Sequence, residues 1–296
     1  MNLNHLSLFR SVAETGGFTR AAAARRISQP AISAQVAELE SSLGVMLFDR
    51  LPRGVRLTQA GEHLLSYARR LAGVEEEAER SLAELRGVRA GLLAVAASRS
   101  IGTYWLPEIL GRFQRKHPDV KIELCVANSA VVERMVLEYE VEIGFTEGNV
   151  SNRQELATEV FRQDELVVIA APSHPLAAKG NRPVSAAAVC AQPMLVREPG
   201  SGTRAIIESA LARKKLAISQ RSMILDSPET IKHAAVANLG LAIISRLCVE
   251  KEVRAGLLKI IPLRDLRFPR PLHLVTGRGR ARSSAAAAFV EMLPPS

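Results

Sequence analysis

Residues 18–44 read FTRAAAARRISQPAISAQVAELESSLG and contain two short helical patterns separated by a turn. Thr19 is expected to cap the N-terminus of the first helix and Ser28 that of the second. Pro30 suits the first turn of the second helix, where backbone amides lack intrahelical acceptors, and Gly44 ends that helix. Its buried face is predicted from four apolar residues at helical spacing, Ile32, Val36, Leu39 and Leu43. Two short helices joined by a tight turn are the layout that places a helix N-terminus in the major groove of DNA.

The segments on either side complete a small domain. Phe9 and Val12 share one face of an earlier helical pattern, which ends at Gly16. Residues 47–58 hold two short extended runs around a glycine-containing turn, which predicts a β-hairpin. Arg53 lies near its tip, where a guanidinium can bind a phosphate or enter the minor groove. The first sixty residues are therefore predicted to form an all-α winged helix-turn-helix.

Short motifs occur in a fixed order along this domain. They are Val12-Ala13-Glu14, Gly17-Phe18-Thr19, Ala21-Ala22, Ser28-Gln29-Pro30-Ala31, Ser33, Gln35, Leu39-Glu40, Leu43-Gly44, Leu47-Phe48, Arg50 and Leu57-Thr58-Gln59-Ala60-Gly61. The ordered set resembles the helix-turn-helix of the LysR-type transcriptional regulators and is more specific than any single motif in it. The resemblance implies a transcription regulator that binds double-stranded DNA.

The resemblance also implies which residues meet DNA. Gln29, Pro30 and Ser33 are expected to face base edges, and Arg53 and Thr58 to contact the DNA backbone or the minor groove. The complete predicted DNA-binding set is Thr19, Ser28, Gln29, Pro30, Ala31, Ser33, Ala34, Arg50, Arg53 and Thr58. Ala34 stands where many relatives have a long polar or basic residue, and its methyl group can contact thymine but cannot donate to guanine. For Arg50, an ordinary surface charge is the alternative interpretation.

Residues 61–90 are predicted to form a linker helix that is about 40 Å long. Its apolar residues follow alternating three- and four-residue steps, the spacing of a coiled-coil seam: Leu64, Ala68, Leu71, Ala78, Leu82 and Leu85. Such a stripe on a lone helix would be exposed, so we expect it to pair with the linker of a second copy. A homo-oligomer, dimer or tetramer, would then bind a two-fold, pseudo-palindromic DNA site. Packing against its own chain is the alternative.

Short apolar runs and helical stretches alternate beyond residue 91, which predicts an α/β domain. The expected strands are 92–97, 121–127, 141–146, 165–170, 194–196, 241–245 and 271–276, and the expected helices are 104–117, 131–139, 203–215, 228–237 and 281–292. The region resembles the effector-binding domain of the same family, which is similar in fold to periplasmic binding proteins. That implies two subdomains around a cleft, which we place at 91–163 with 268–296 and at 164–267.

Three hydroxyl-bearing turns precede helices of this domain, at 98–102, 200–204 and 227–228. A helix N-terminus with nearby arginines favours a carboxylate, a phosphate or a sulfur oxyanion. The predicted effector-binding set is Ser98, Arg99, Ser100, Thr146, Arg197, Ser201, Thr203 and Ser227. Simple helix capping is the alternative for each hydroxyl.

The turn 98–102 and the segment 197–204, which contains the second turn, resemble a branch of the family that regulates carbon-dioxide fixation and sulfur metabolism. Arg99 departs from the threonine that is commoner in that branch. An arginine at this position either binds the anion or occludes the pocket. Which of the two occurs stays open at the level of sequence.

Composition and missing motifs set the remaining expectations. The chain has 296 residues, 47% of them hydrophobic, and a net charge of +9, which fits a polyanionic partner. However, residues 1–60 hold only seven arginines against four acidic residues, so charge alone is a weak argument. No run of 18 apolar residues and no signal-peptide pattern occur, which predicts a cytoplasmic protein without a membrane partner.

Motifs of catalysis are not found in the sequence. It has no glycine-rich phosphate loop, metal-ligand spacing or nucleophile elbow, so no enzyme activity, cofactor or metal site is expected. Cys125, Cys190 and Cys248 each lie between apolar residues and are predicted to be buried free thiols. The alternative function is solute binding without a role in gene control, although this alternative does not explain the predicted DNA-binding domain in the first sixty residues. RNA polymerase is a further expected partner of such a regulator.

Overall fold

The computed structural model describes residues 1–51, 54–85, 91–178, 180 and 182–294. The chain divides into two compact units. Met1–Gly87 and the short segment Glu138–Glu140 form the first, and Val88–Leu137 with Val141–Ser296 form the second. The finer domain and subdomain boundaries given above stay predictions.

The first unit contains four helices and a hairpin within its described residues: α1 Leu3–Thr15, α2 Phe18–Arg25, α3 Gln29–Leu43, β1 Phe48–Arg50, β2 Val55–Leu57 and α4 Gln59–Leu85. Ser28 caps α3 as predicted, because its Oγ accepts a hydrogen bond from the Ala31 amide at 3.3 Å. Gly44 ends α3 in the left-handed region, at φ 68°, where glycine carries no steric penalty.

The predicted capping role of Thr19 is wrong. α2 begins at Phe18, and its N-cap is Gly17, two residues before Thr19; this glycine makes no side-chain hydrogen bond. Thr19 lies exposed inside the first turn. The Phe18 ring packs edge-on against Phe48, with ring centroids 5.6 Å apart, and this packing holds residue 18 within the helix.

The predicted hairpin is confirmed. β1 and β2 pair antiparallel, with Asp49 opposite Arg56. Glu40 holds the start of the hairpin in place. The buried Oε1 of Glu40 accepts hydrogen bonds from the amides of Leu47 at 2.7 Å and Phe48 at 3.2 Å. Arg53 and the side chain of Arg50, both predicted to contact DNA, lie outside what the structure describes.

The apolar stripe of α4 has two parts. Ala68 is buried and Leu64 packs beside it against the core of the same unit, so the alternative of packing on the chain's own domain holds for this end. Leu71 and Leu82 of the stripe lie further along and are exposed over 43% and 58% of their surfaces, and the apolar Val74, which is not one of the predicted stripe residues, is exposed over 49%. The exposed part is the portion that still needs a partner. None of the described helices is both long and apolar enough to cross a bilayer.

The second unit is built on one large sheet. Its strands are β3 Leu92–Ser98, β4 Lys121–Ala127, β5 Ile143–Glu147, β6 Leu156–Ala170, β7 Met194–Arg197, β8 Met223–Leu225, β9 Leu241–Ser245, β10 Lys259–Ile261 and β11 Phe268–Gly277. Its helices are α5 Arg99–Tyr104, α6 Leu106–Lys116, α7 Ser129–Leu137, α8 Pro175–Ala178, α9 Ala186–Cys190, α10 Gly202–Arg213, α11 Pro228–Val236, α12 Arg246–Arg254 and α13 Ser284–Glu291.

Two long strands join the halves of this sheet. The strand order is β4-β3-β5-β11-β6-β9-β7-β8, with β10 also paired to β6. β6 pairs with β11 over Leu156–Leu166 and with β9 over Leu166–Ile169, so it passes from one half to the other. Separate hydrophobic cores lie around Phe113 and Phe145 in one half and around Val168 in the other. The ends of strands from both halves therefore meet beside the paired strands β6 and β11.

Several predicted elements differ from the structure. The expected helix 104–117 starts at Leu106, because Trp105 interrupts it and a separate α5 precedes it. β6 extends back to Leu156, beyond the predicted 165–170, through a stretch that mixes polar and apolar residues. β8, β10, α8, α9 and α12 were not predicted; most are too short to show a period.

The prediction for Cys125 is also wrong. Its side chain is exposed, whereas Cys190 and Cys248 are buried free thiols as expected. β4 is the edge strand of the sheet, so its apolar residues are less covered than those of the inner strands.

Candidate functional site

The first turn of α3 presents its polar residues to solvent. Ser28, Gln29 and Pro30 are exposed, whereas Ile32 is fully buried in the core of the unit. Ala31 and Ser33 are half-buried and Ala34 is exposed. The apolar stripe therefore faces inward and leaves the N-terminal turn accessible, as groove recognition requires. The contacts of these residues with DNA stay predictions.

Thr58 has a structural task in addition to its predicted DNA contact. Its Oγ1 donates to the carbonyl of Met46 at 2.7 Å and accepts from the amide of Gly61 at 3.0 Å. The hydroxyl therefore ties the hairpin to the first turn of α4. Its contact with DNA stays a prediction.

Arg270 lies at the centre of the candidate effector site in the second unit. It is on β11 and its residue surface is 0% exposed. Its Nη1 donates to Thr203 Oγ1 at 2.9 Å and to Ser100 Oγ at 3.4 Å. We call the group of Ser98, Ser100, Glu147, Asp164, Thr203 and Arg270 the Arg270 cluster. Its residues come from β3, α5, β5 and α10, and from the long paired strands β6 and β11.

Glu147 joins two of the predicted hydroxyl residues to Arg270. It ends β5 and is only 2% exposed. Ser98 Oγ donates to its Oε2, and Thr203 Oγ1 donates to its Oε1 at 3.2 Å. The same Oε1 lies 3.4 Å from Arg270 Nη1. The Ser98 side chain therefore binds this carboxylate and makes no capping hydrogen bond to α5.

Asp164 completes the pairing of the buried guanidinium. Its Oδ2 accepts from Arg270 Nε at 2.9 Å, from Arg270 Nη2, and from Ser245 Oγ at 2.7 Å. Charge-assisted bonds of this kind are what make a buried arginine tolerable. Cys248 lies nearby, and burial raises the pKa of its thiol to about 12, so the thiol stays protonated and unreactive.

Arg197 and Arg99 form a second charged group around Glu198. Arg197 is buried and donates to Glu198 through Nε at 2.7 Å and Nη2 at 2.9 Å. Arg99 is half-buried, with its Nε 4.0 Å from Glu198 Oε1 and no hydrogen-bond partner for that atom among the described residues. Both predicted cationic ligands therefore already face one internal carboxylate.

Two of the predicted hydroxyl residues are helix caps. Ser201 Oγ accepts from the Arg204 amide at 3.4 Å at the start of α10. Ser227 Oγ accepts from the Thr230 amide at 3.1 Å at the start of α11. The capping alternative is therefore realised at these two positions. Their roles toward an effector stay predictions.

Thr146 lies opposite a buried histidine of β11. This histidine is His273, and Thr146 is itself buried. Within the described residues, Thr146 Oγ1 and His273 Nδ1 have no hydrogen-bond partner. Burial lowers the pKa of His273, and the charge of Arg153 lowers it further, so the ring is neutral near pH 7.

Glu147, Asp164 and Arg270 were not predicted as site residues. Arg270 stands between two prolines in a strand that is otherwise largely apolar, and a buried charge there requires a carboxylate partner. Glu147 directly follows Thr146, which was predicted, at the same strand end. The charged residues thus left a signal in the sequence, but their pairing depends on long-range contacts, such as that between Asp164 and Arg270, which lie 106 positions apart.

Comparison with known proteins identifies the family. The model of the bacterial regulatory helix-turn-helix protein, lysR family, matches residues 3–62, and that of the LysR substrate binding domain matches residues 86–295. The chain belongs to the LysR family. It is a LysR-type transcriptional regulator with an effector-binding domain, and the solute-binding alternative is not favoured, because it leaves the helix-turn-helix unexplained.

Relatives of this LysR chain cover its whole length. It is 36% identical over 295 residues to the uncharacterized HTH-type transcriptional regulator YeiE of Escherichia coli (strain K12), spanning 100% of this chain and 98% of that protein. It is 34% identical over 293 residues to the RuBisCO operon transcriptional regulator of Allochromatium vinosum, covering 99% and 95%. The latter relative confirms the resemblance to regulators of carbon-dioxide fixation.

A solved structure supports the fold of the effector domain. The regulatory domain of Synechocystis CcmR, in complex with 2-PG, aligns with a TM-score of 0.63 at 25% identity. The alignment covers 69% of this chain and 95% of that domain. The predicted fold class, a helix-turn-helix followed by an α/β effector domain, is confirmed.

Proposed function

We propose that this LysR-type regulator binds a small anionic metabolite at the Arg270 cluster and adjusts transcription in response. The main observation in support is that three predicted residues belong to one hydrogen-bonded group with Arg270. Ser98 and Ser100 come from one predicted turn and Thr203 from another. That group lies where both halves of the sheet meet. A ligand there changes the balance of conformations only if it binds one of them more tightly.

Relatives support a small ligand for this domain. The CcmR domain is solved in complex with 2-PG, one relative is named as a RuBisCO operon transcriptional regulator, and another is named as a probable RuBisCO transcriptional regulator. Buried hydroxyls with an arginine suit an oxyanion better than an apolar ligand. The proposed ligand class for this chain is therefore a small phosphate, carboxylate or sulfur oxyanion.

The remaining parts of the proposal concern DNA and assembly. α3 reads a pseudo-palindromic operator, and the exposed part of the α4 stripe pairs two copies of the chain. The proposed domains are 1–60, 61–90 and 91–296, and the protein acts in the cytoplasm without catalysing a reaction. These proposals rest on the family, the exposed first turn of α3 and the exposed Leu71, Val74 and Leu82.

Titrations of the protein with operator DNA test the proposed DNA contacts of the hairpin and of α3. Arg53→Ala removes a proposed phosphate contact, so the slope of log affinity against log salt should fall by about one. Ser33→Ala should instead change the preference among operator sequences while keeping the slope. If neither substitution alters DNA binding, the proposed docking of α3 and the hairpin is wrong.

A thermal-shift screen of small anions tests the effector site, because a ligand selective for the native state raises its melting temperature. A bound anion should stabilise the wild type and stabilise Ser100→Ala less, since that variant loses a hydroxyl of the cluster. Thr158→Ala on β6, a half-buried threonine of the same sheet, is the matched control and should respond like the wild type. An unchanged response of Ser100→Ala would remove this residue from the site.

A further inference from the structure

Glu147 occupies the position in which an effector anion is expected. Ser98 and Thr203, two of the hydroxyls proposed for the ligand, already donate to its carboxylate oxygens. The buried guanidinium of Arg270 faces it at 3.4 Å. The protein therefore supplies its own anion to the site.

A second anion beside this carboxylate is unfavourable while the cluster keeps its charges. Within the described residues of the cluster, Glu147 and Asp164 are two carboxylates and Arg270 is the one guanidinium. The exposed fractions of the three side chains are 2%, 4% and 0%. Like charges brought together without water repel strongly, so an effector anion requires that one negative charge be removed.

The backbone and the base of the Glu147 side chain are closely packed. A methyl group placed on Gly202 would lie 2.1 Å from the Glu147 carbonyl oxygen and 2.9 Å from its Cγ. The start of α10 is thus packed directly onto Glu147, and any larger residue at 202 would collide with it. Neutralising the Glu147 carboxylate therefore disturbs fewer contacts than moving the whole Glu147 side chain out of the cluster.

We propose that the effector anion binds together with one proton, which is held on the Glu147 carboxylate. This inference rests on the proposed effector site. The proton comes from solvent and adds to one carboxylate oxygen, so the carboxylate becomes a neutral acid and no other bond is made or broken. The acid then donates a hydrogen bond, either to the bound anion or to a neighbouring oxygen, and Ser98 and Thr203 are free to donate to the anion.

Other titratable groups face this site from several elements. Asp164 on β6 is held by Arg270 and Ser245, and Cys248 on α12 is a protonated thiol. His273 on β11 directly follows Leu272, which pairs with Glu147. The adjacent charged group consists of Arg99, Arg197 and Glu198. α10 contributes Thr203 and also Arg204, whose Nε pairs with Glu208. Of these groups, neutral His273 is the rival acceptor of the proton.

Calorimetric titration with inorganic sulfate tests the inference, because sulfate carries no titrating proton between about pH 6 and 8. At constant ionic strength, wild-type affinity should fall tenfold for each unit of rising pH. Titrations at one pH in two buffers of different ionisation enthalpy should show uptake of about one proton per sulfate. This second measurement needs no variant, so it stands even if a substituted chain fails to fold.

Two variants, Glu147→Gln and His273→Gln, locate the proton, and a third serves as the control. Glu147→Gln keeps the shape but not the charge, so its sulfate affinity should be independent of pH and match the low-pH limit of the wild type. Glu159→Gln, an exposed glutamate on β6, should behave like the wild type. His273→Gln should also retain the pH dependence.

The outcomes separate this inference from the proposed function. Sulfate binding by the wild type with no pH dependence and no proton uptake would overturn the inference and leave the anion site standing. Loss of the pH dependence in His273→Gln, but not in Glu147→Gln, would also overturn it, because the proton would then lie on His273. No sulfate binding by the wild type or Glu147→Gln at any pH would overturn the anion site itself and the inference with it.

Discussion

At the scale of residues, the main finding is a buried group of two carboxylates and Arg270 around hydroxyls that the sequence had indicated. Ser98, Ser100 and Thr203 were predictable, because each lies beside a helix start in a recognisable turn. Arg270 and Asp164 were not, because they lie on two strands whose pairing determines their contact. The sequence therefore indicated the hydroxyls of the Arg270 cluster, but neither its two carboxylates nor its buried arginine.

Arg270→Met should destabilise the protein, since it leaves Asp164 and Glu147 buried without their cation. The expected loss in the free energy of unfolding is about 3–5 kcal/mol, which urea denaturation measures. Arg282→Met, at an exposed arginine, is the control and should change it by less than about 0.5 kcal/mol. A loss in Arg270→Met as small as that of the control would show that the cluster contributes little to stability.

Glu133 on α7 provides a prediction about pH. Burial raises the pKa of its carboxyl, even though the Ser151 amide donates to it at 2.9 Å. A raised folded-state pKa means that the group's contribution is present below its unfolded pKa and is lost as pH rises through the folded value. Glu133→Gln keeps an acceptor for Ser151, so it should raise the melting temperature near pH 7 and change it little near pH 4. A lower melting temperature at both pH values would contradict the burial argument.

At the scale of elements, local signals fixed most boundaries and long-range packing fixed the rest. The cap at Ser28 and the stop at Gly44 were readable, because each depends on neighbouring residues only. The start of α2 was misplaced, because the packing of Phe18 on Phe48 outweighs the preference of Thr19 for a cap. Short elements such as β8 and β10 depend on the strands beside them.

Glu40→Ala should weaken the first unit at the junction between α3 and the hairpin. The amides of Leu47 and Phe48 would lose their carboxylate acceptor, at a cost of about 1–3 kcal/mol. Glu38→Ala, an exposed glutamate two residues earlier on α3, is the matched control and should have a much smaller effect. Chemical denaturation followed by circular dichroism compares the two, and equal effects would refute the anchoring role of Glu40.

At the scale of the whole molecule, the sequence was sufficient for the family and the order of its parts. The motifs of the first sixty residues named the family, and the alternation beyond residue 91 indicated an α/β domain. The linker was less predictable, because the same stripe serves two purposes: Leu64 and Ala68 pack on the chain's own core, while Leu71 and Leu82 remain exposed.

Leu71→Glu combined with Val74→Glu should therefore dissociate the proposed oligomer without unfolding the first unit. Charges at two exposed apolar positions disfavour burial against a second copy, and they touch little of the unit's own core. Sedimentation equilibrium should show a lower mass than for the wild type. An unchanged mass would mean that this stripe does not hold the copies together.

The most direct test of the account is a crystal structure of the protein grown with selenate, an anion whose position anomalous scattering reveals. We predict an anomalous peak whose oxygens lie within hydrogen-bond distance, about 2.7–3.2 Å, of Ser98, Ser100 or Thr203. Selenate bound only at exposed basic residues, with Glu147 still holding those hydroxyls, would contradict the claim that this cluster receives the effector.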